Sequence, residues 1–395
     1  GIDTGLINSE VPGRVGFEST LLIESADAFA VDVSAAQASI ADRDFSGQGR
    51  VHWRDAQLTA IDASIEAGVN RLTADIKLGK QLAGAINTNA PELAKLWPGL
   101  QGALDAAITL GGSPEKPQAR VTAKASSVSF GTQSLQALTL SGELKDNNRL
   151  AGTLVATGLS SDEQRLGNLD YSVAGTLAEH RSMLNLSGGV VDVELRANGG
   201  WDGEYLTQRF DYGKIEPDGF ESWQLQQNPQ LRVSAATGQL SAHCWKQQEA
   251  GICIEASNWD ADSLQSAVVI NDFALAMLKP LLAEGFTIDG TVEADLKLVR
   301  NTAGLQGELR CRQSRTSLAN ADDIHEFETV LDEVGITLLT DSTQTVLSAN
   351  LSGDQGLNMK AMAKVKGPLV ADSPLQASAK GRLPDIGLLR PLLQR

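Results

Sequence analysis

Hydrophobic positions along this chain follow two periods that come in a fixed order. In residues 91–110, PELAKLWPGLQGALDAAITL, a short apolar turn, Leu93-x-x-Leu96-x-Pro98, gives way to strict alternation through Gly102, Leu104, Ala106, Ile108 and Leu110. Leu93 and Leu96 share one face of a helical turn, and Pro98 cannot donate the next backbone bond, so a turn or two of helix is predicted to stop there. The alternating part predicts a strand with one apolar face. The same order recurs at Leu275-x-x-Leu278-x-Pro280, followed by Gly290, Val292, Ala294, Leu296 and Leu298. A third copy begins at Ile386-x-x-Leu389-x-Pro391, and the sequence stops inside it.

Residues 1–40 are extended and weakly alternating, with Pro12-Gly13 marking a turn and Leu21-Leu22-Ile23 a buried run. Strands are predicted at 58–65 and 72–78, the latter through Leu72, Ala74, Ile76 and Leu78. After the turn cluster Gly111-Gly112-Ser113-Pro114, strands follow at 121–130, 135–144, 150–158, 171–177, 183–186, 191–197, 231–235, 240–245, 252–256 and 265–270. Short strands at near-regular spacing indicate an antiparallel all-β body. In residues 198–230 the pattern loosens, and Trp201, Tyr205, Phe210, Tyr212, Phe220 and Trp223 collect between Gly and Pro, which predicts an irregular insertion or a sheet break. Beyond the second copy, strands are expected at 305–310, 335–339, 346–351, 357–365 and 375–383, with a short helix at 321–331. The repeat sets expected boundaries at 1–90, 91–270, 271–383 and 384–395, the last a truncated third repeat.

Many of the alternate apolar positions are small, as in Leu357, Met359, Ala361, Ala363, Val365 and in Leu375, Ala377, Ala379, Gly381, Leu383. A closed sandwich packs bulkier residues against its second sheet, so a small-residue face leaves room. The resulting expectation is an elongated curled antiparallel sheet forming an open hydrophobic groove, with a few short helices covering sheet ends. The competing reading is an ordinary two-sheet core capped by those helices. The candidate floor of the groove comprises Leu72, Ala74, Ile76, Leu78, Leu104, Ala106, Ile108, Leu110, Val292, Ala294, Leu296, Leu298, Leu357, Met359, Ala361, Ala363, Val365, Leu375, Ala377 and Ala379. Which strand parity faces inward is not readable, since a one-residue shift flips the face.

At 395 residues the chain exceeds one ordinary core. Lys+Arg 33 against Asp+Glu 49 gives −16, which argues against nucleic acid and against docking on an anionic lipid surface, because both select basic patches. Only 5% of residues are aromatic while 38 are Gly, so large plugs for a closed centre are scarce. No stretch approaches the run of about 18 apolar residues that a membrane span needs, and no basic-then-apolar leader is present; a targeting or anchoring segment is expected outside this sequence.

Cys244 and Cys253 flank Lys246-Gln247-Gln248-Glu249-Ala250-Gly251, so a hairpin would set them opposite each other within disulfide reach. Such a bridge implies an oxidising compartment; two unpaired strand cysteines are the alternative. Cys311 is left over. The histidines His52, His180, His243 and His325 have no second ligand at metal spacing, and Asp322-Asp323 and Asp260-x-Asp262 read as turn residues. No Gly-x-Ser-x-Gly, phosphate-cradling loop or Cys/His arrangement occurs, so neither catalysis nor a cofactor is expected.

The paired units, the cysteine hairpin followed by Asn258-Trp259-Asp260, and the Leu-x-x-Leu-x-Pro turn before Gly-x-Val-x-Ala-x-Leu-x-Leu together resemble the TamB family, the translocation and assembly module proteins of diderm bacteria, related to AsmA-like and bridge-like lipid-transfer proteins. The likeness runs from about Leu58 to the end. It implies a periplasmic protein held in the inner membrane by a segment outside this sequence, with β-structure curled into a β-taco. It also implies an Omp85-family outer-membrane barrel as partner, and either phospholipid or unfolded outer-membrane proteins, including autotransporters, as cargo. The readings carried forward are a lipid-conducting bridge module, a chaperone-like scaffold offering strand edges, and an adhesin-type structural repeat.

Overall fold

Hairpins set the topology: almost every strand pairs antiparallel with its sequence neighbour, and short turns hold each pair in register. The computed structural model describes residues 2–3, 13–25, 27–55, 57–145, 147–162, 164–277, 286–302, 304–313, 316–320, 327–341, 343–353, 356–366 and 375–382. It divides into two units, Gly1–Asp202 and Gly203–Arg395.

The first unit runs β1 (Ile2–Asp3), β2 (Gly13–Ser25), β3 (Ala28–Ile40), β4 (Arg43–Arg54), β5 (Gln57–Ala67), β6 (Asn70–Lys77), β7 (Ala83–Ala90), β8 (Leu100–Ser113), β9 (Lys116–Phe130), β10 (Gln133–Leu144), β11 (Arg149–Ser161), β12 (Gln164–Thr176), β13 (His180–Ser187) and β14 (Val191–Trp201). Each pairs with the next. Ala41 and Asp42 form the two-residue β3–β4 turn with both φ values positive, the hairpin geometry whose twist matches the strands. In β8 the register shifts between Gln101 and Ala103. Gly102 sits there at φ +104°, and a Cβ would lie 2.6 Å from the Ser127 carbonyl, so only glycine fits.

The second unit runs β15 (Leu206–Pro217), β16 (Trp223–Leu225), β17 (Gln230–Val233), β18 (Thr237–Leu240), β19 (His243–Gln247), β20 (Ala250–Ile254), β21 (Ser257–Asp260), β22 (Leu264–Ala274), β23 (Phe286–Asp289), β24 (Thr291–Asn301), β25 (Gly304–Gln313), β26 (Thr316–Asn320), β27 (Phe327–Thr340), β28 (Gln344–Gly353), β29 (Asn358–Lys366) and β30 (Leu375–Arg382). β15 pairs with β17 through its first half and with β16 through its second. β22 likewise takes β21 at its start and β20 further on. Residues 223–233, 237–247 and 250–260 are therefore three strands of one meander, each interrupted near its middle. The strand expected at 240–245 is broken at Ser241, which keeps only half of its ladder pairing: its N–H donates to the Gln230 carbonyl, but the Gln230 N–H goes to its hydroxyl, and its carbonyl lies 3.0 Å from His243 Nδ1.

Three expectations need correction. Residues 206–217 and 223–225 are paired strands, not an irregular insertion, because Leu206, Gln208 and Ile215 find ladder partners that local Gly and Pro signals do not reveal. Of the helix expected at 321–331, residues 321–326 lie outside the described residues, and Phe327 to Leu331 begin β27. Pairing with β26 overrides the helical spacing there. The unit at 91–99 is shorter than expected: Leu93–Lys95 form a single 3-10 turn, with the Leu96 N–H bonding the Leu93 carbonyl. In the second copy a 3-10 turn covers 275–277; Leu278 and Pro280, like the whole third copy and Leu383, lie outside the described residues.

That turn is tied to the sheet at three points. The buried Asn70 donates from Nδ2 to the Glu92 carbonyl (2.7 Å) and accepts from the Glu92 N–H (3.0 Å), so its amide acts as an extra backbone unit. Arg43 Nε donates to the Ala94 carbonyl at 2.8 Å. Among the described residues thirteen apolar side chains are buried, and eight of them are alanine, so the sheet is held by its ladders more than by a plugged centre. Asn70→Ala is expected to cost about 1–3 kcal/mol, since it leaves the Glu92 amide unpaired beneath a covered site. Urea unfolding measures the loss, and hydrogen exchange at residues 92–97 should accelerate; unchanged exchange would refute the tie.

Candidate functional site

Register decides which candidate residues share a side. In the first unit Leu72 pairs with Thr88, Ala74 with Ile86 and Ile76 with Gly84; these in turn pair with Ala106, Ile108 and Leu110, while Ala90 pairs with Leu104. The expected positions of β6 and β8, two strands apart, therefore form cross-strand rows on one side of the sheet. Leu78 sits just past β6, its N–H bonding the Thr59 carbonyl. The rows continue through Val121, Gly142, Gly152 and Val173 in one lane and through Ala123, Leu140, Leu154 and Tyr171 in the next. Gly47, Gly49 and Val51 of β4 extend them in the other direction.

The second unit repeats the arrangement within itself. Ala294 pairs with Cys311, Cys311 with Ile336, Ile336 with Ala349, Ala349 with Ala361 and Ala361 with Ala379. Leu296 leads through Leu309, Leu338 and Leu347 to Ala363 and Ala377, and Leu298 leads through Gly307, Thr340 and Thr345 to Val365 and Leu375. Val292 lies opposite Gln313, and Met359 opposite Leu351. Leu357 precedes β29 and is buried. Leu347, Ala349, Ala361, Ala363, Ala377 and Ala379 line a concavity of about 370 Å³, together with Met362 and Ser378.

Exposure separates the two sides. Leu72, Ala74, Ile76, Leu104, Ala106, Ile108 and Leu110 are half-buried while Asp75, Lys77, Asp105 and Thr109 between them are exposed. Along β29, Met359, Ala361 and Ala363 are half-buried, Val365 is buried, and Asn358, Lys360, Met362 and Lys364 are exposed. Ala377 and Ala379 on β30 are exposed. Half-burial of large aliphatics on one side means that the side chains shield one another across the ladder without a second layer sealing them. The opposite side carries the charged residues, with Val155, Met183, Val299, Leu339 and Met362 exposed among them. There Asp32 and Arg50 form an ion pair, Arg120 Nη2 donates to Glu143 Oε1 at 2.9 Å, and Arg196 to Glu194 at 2.6 Å.

Cys244 and Cys253 face each other directly in the β19–β20 hairpin and are joined as a disulfide. Their ladder continues to Val269 and Asp295, so the bridge lies on the polar side, while Trp245 and Ile252 beside it belong to the apolar rows. Cys311 carries the free thiol, on the apolar side, and burial pushes its pKa up. The run Leu21-Leu22-Ile23, expected to be buried, is exposed: Leu21 and Ile23 stand on the apolar side of β2, where no second layer covers them. Sequence reasoning passed over other apolar-side residues: Phe17 on β2, Phe29 stacked on Trp53 at 5.3 Å, Trp259 against Gly238, and Trp223 stacked on Phe273 at 6.1 Å. The alternation Phe45, Gly47, Gly49, Val51, Trp53 carried the β4 signal, diluted by its glycines.

Among the described residues no group of three or more His, Cys, Asp or Glu is placed to hold a metal ion, and no helix is long and apolar enough to cross a membrane. The class defined by these features is an all-β antiparallel protein with one polar side and one incompletely covered apolar side. The family profile described as TamB, N-terminal domain, matches residues 1–395, and the chain belongs to that family. It is similar to the translocation and assembly module subunit TamB of Haemophilus influenzae, with 24% identity over 208 residues, which cover 50% of this chain and 16% of that protein. The match thus spans under a fifth of the length of that relative. No solved structure matches it.

Two outcomes are expected here. Replacing both Cys244 and Cys253 by Ser should lower the unfolding free energy by about 2–3 kcal/mol, and a reductant should then have no further effect; a variant as stable as the oxidised parent would mean that the ladder alone closes this loop. Alkylation of Cys311, which proceeds through the thiolate, should reach half its maximal rate at a higher pH than in an unstructured cysteine peptide, and urea should abolish the lag.

Proposed function

We propose that this chain is a periplasmic segment of an inner-to-outer membrane bridge in outer-membrane biogenesis, anchored to the inner membrane by a segment outside this sequence. In this reading its apolar side is a groove floor carrying phospholipid acyl chains. It has no catalytic role, and an Omp85-family outer-membrane barrel is the partner of regions beyond this chain. Membership of the TamB family supports the biogenesis role. The observation that favours lipid is the half-buried apolar rows backed by a polar side.

The physical requirement is simple. An acyl chain of about sixteen carbons in water costs on the order of 10 kcal/mol, at ~0.8 kcal/mol per methylene, so it needs continuous hydrocarbon contact. A phosphate headgroup must stay wet, because burying it unpaired is prohibitive. A one-sided apolar floor with an open edge meets both needs. Each step along it exchanges one apolar surface for another, so sliding needs no energy source in the groove.

Native mass spectrometry of the purified chain should detect bound phospholipid, and Leu296→Asp should reduce it, because a carboxylate in that row opposes acyl contact. Photo-crosslinkers at Leu296 and Ala361 in cells should yield lipid adducts. Adducts to outer-membrane barrel precursors in place of lipid would overturn the lipid reading in favour of a protein-assembly scaffold. Absence of both would leave a structural repeat.

A further inference from the structure

On the side opposite the apolar rows, the cations of β25 and those of β29 and β30 have different surroundings. Those of β25 are matched: Arg310 pairs with Glu308, and Arg312 Nη2 stands 3.6 Å from Asp295. On β29, Lys360, Lys364 and Lys366 alternate with the apolar-side residues Ala361, Ala363 and Val365, and on β30 Lys380 and Arg382 flank Gly381 in the same way. All five are exposed. Strands β28, β29 and β30, QTVLSANLSG, NMKAMAKVK and LQASAKGR, contain no Asp or Glu.

Lys360 and Lys380 stand directly opposite each other in the β29–β30 ladder, where like charges repel and cost stability. Neither they nor Lys364, Lys366 and Arg382 make an ion pair among the described residues. The described acids on that side are set apart by β28, which carries no charge. Glu308 is three strand spacings from Lys364 along the row Glu308, Leu339, Val346, Lys364. That is about 14 Å, beyond the ~8 Å over which physiological salt screens a charge. Glu333 is likewise three spacings from Arg382, by way of Ser352 and Asn358. Asp341, in the β27–β28 turn, accepts from the Thr343 hydroxyl at 2.6 Å and the Gln344 N–H at 2.9 Å. Asp354, Asp372 and Asp385 lie outside the described residues.

We propose that this side of β29 and β30 is a docking surface for a membrane of anionic phospholipid. Three features favour that partner over other polyanions. Four of the five cations are Lys, point charges on flexible stems without the planar fork that picks out a single carboxylate or phosphate. No aromatic residue occurs on β28, β29 or β30, so bases find no stacking platform. Met362, 53% exposed, stands opposite Ser378 between the Lys360 and Lys364 rows, and an apolar side chain among lysines fits the boundary between headgroups and acyl chains. Composition argues against an anionic surface as partner of a chain of net charge −16, but the distribution reverses this for one patch. The acidic remainder is repelled by the same membrane, so contact is confined to β29 and β30. Docking by this side is independent of what the apolar side carries.

Co-sedimentation of the chain with vesicles tests this, using phosphatidylcholine alone and an equal mixture of phosphatidylcholine and phosphatidylglycerol. The chain should partition onto the mixed vesicles in preference to the neutral ones, and high salt should release it. The combined variant Lys360→Gln, Lys364→Gln, Lys380→Gln should partition about a hundredfold more weakly, roughly fivefold for each charge removed. Because it relieves the opposed lysine pair, it should unfold in urea no earlier than the parent. The variant Lys360→Arg, Lys364→Arg, Lys380→Arg should bind as the parent does, and so should Lys77→Gln, Lys116→Gln, Arg149→Gln, which removes the same charge from the first unit. Equal partitioning of the parent onto both vesicles, or unchanged binding by the Lys360, Lys364, Lys380 glutamine variant, would overturn the assignment. An equal loss in the first-unit variant would also overturn it, leaving only a general effect of net charge. Release of the chain from the vesicles by polyglutamate at matched charge concentration would assign the patch to an acidic protein in place of a membrane.

Discussion

An antiparallel ladder fixes the side on which every residue stands, and each other property of this protein depends on that register. Side chains alternate with period two, so a slip of one residue in a single hairpin would move its aliphatic set from the apolar side to the polar one. Tight turns with positive φ, such as Ala41-Asp42, and the glycine-dependent bulge at Gly102 hold the pairing in place. The reward is a side on which Ile108, Val121, Gly142, Gly152 and Val173 fall into line although they come from five different strands.

What the ladder does not supply is a sealed centre. Alanine dominates the buried apolar set, and the larger aliphatics shield one another only in part. A protein built this way gives up some of the stabilisation that complete burial would add, about 25 cal/mol for each Å² of apolar surface left wet. Local devices offset part of that loss. The disulfide ties β19 to β20, and the Asn70 amide secures the turn at 91–99 over one end of the rows. An incompletely covered apolar side is ordinarily a liability for a soluble protein, and it becomes intelligible if an apolar guest completes it.

The charge distribution adds a second layer of organisation to the same register. Ionised residues stand on the polar side or at strand ends: Asp32 and Arg50 face one another there, as do Arg120 and Glu143. The chain is acidic as a whole, and six of its 33 Lys and Arg residues, Lys77, Lys80, Lys116, Arg120, Lys145 and Arg149, lie at one strand end between β6 and β11, among Asp75, Glu115 and Glu143 and opposite the end that the turn at 91–99 covers. The sheet thereby acquires a direction across its width as well as two different faces.

Alternation alone predicted the all-β antiparallel class and most of the long strands, because period two is a local signal. The cysteine hairpin was legible for the same reason, since nine residues of separation leave little choice of partner once a hairpin forms. Small-residue strands such as β7, AGAINTNA, and glycine-diluted ones such as β4 were not legible, because their apolar contrast is too weak without neighbours to pair against. Phe327 to Leu331 kept a helical spacing that pairing with β26 overrode. The side on which Leu72, Leu104, Leu296 and Ala361 stand, the covering of one strand end by the turn at 91–99, and the gathering of cations at the other were decided by tertiary structure alone. Each depends on which residues of distant strands meet across a ladder, and a one-dimensional pattern carries period but not register.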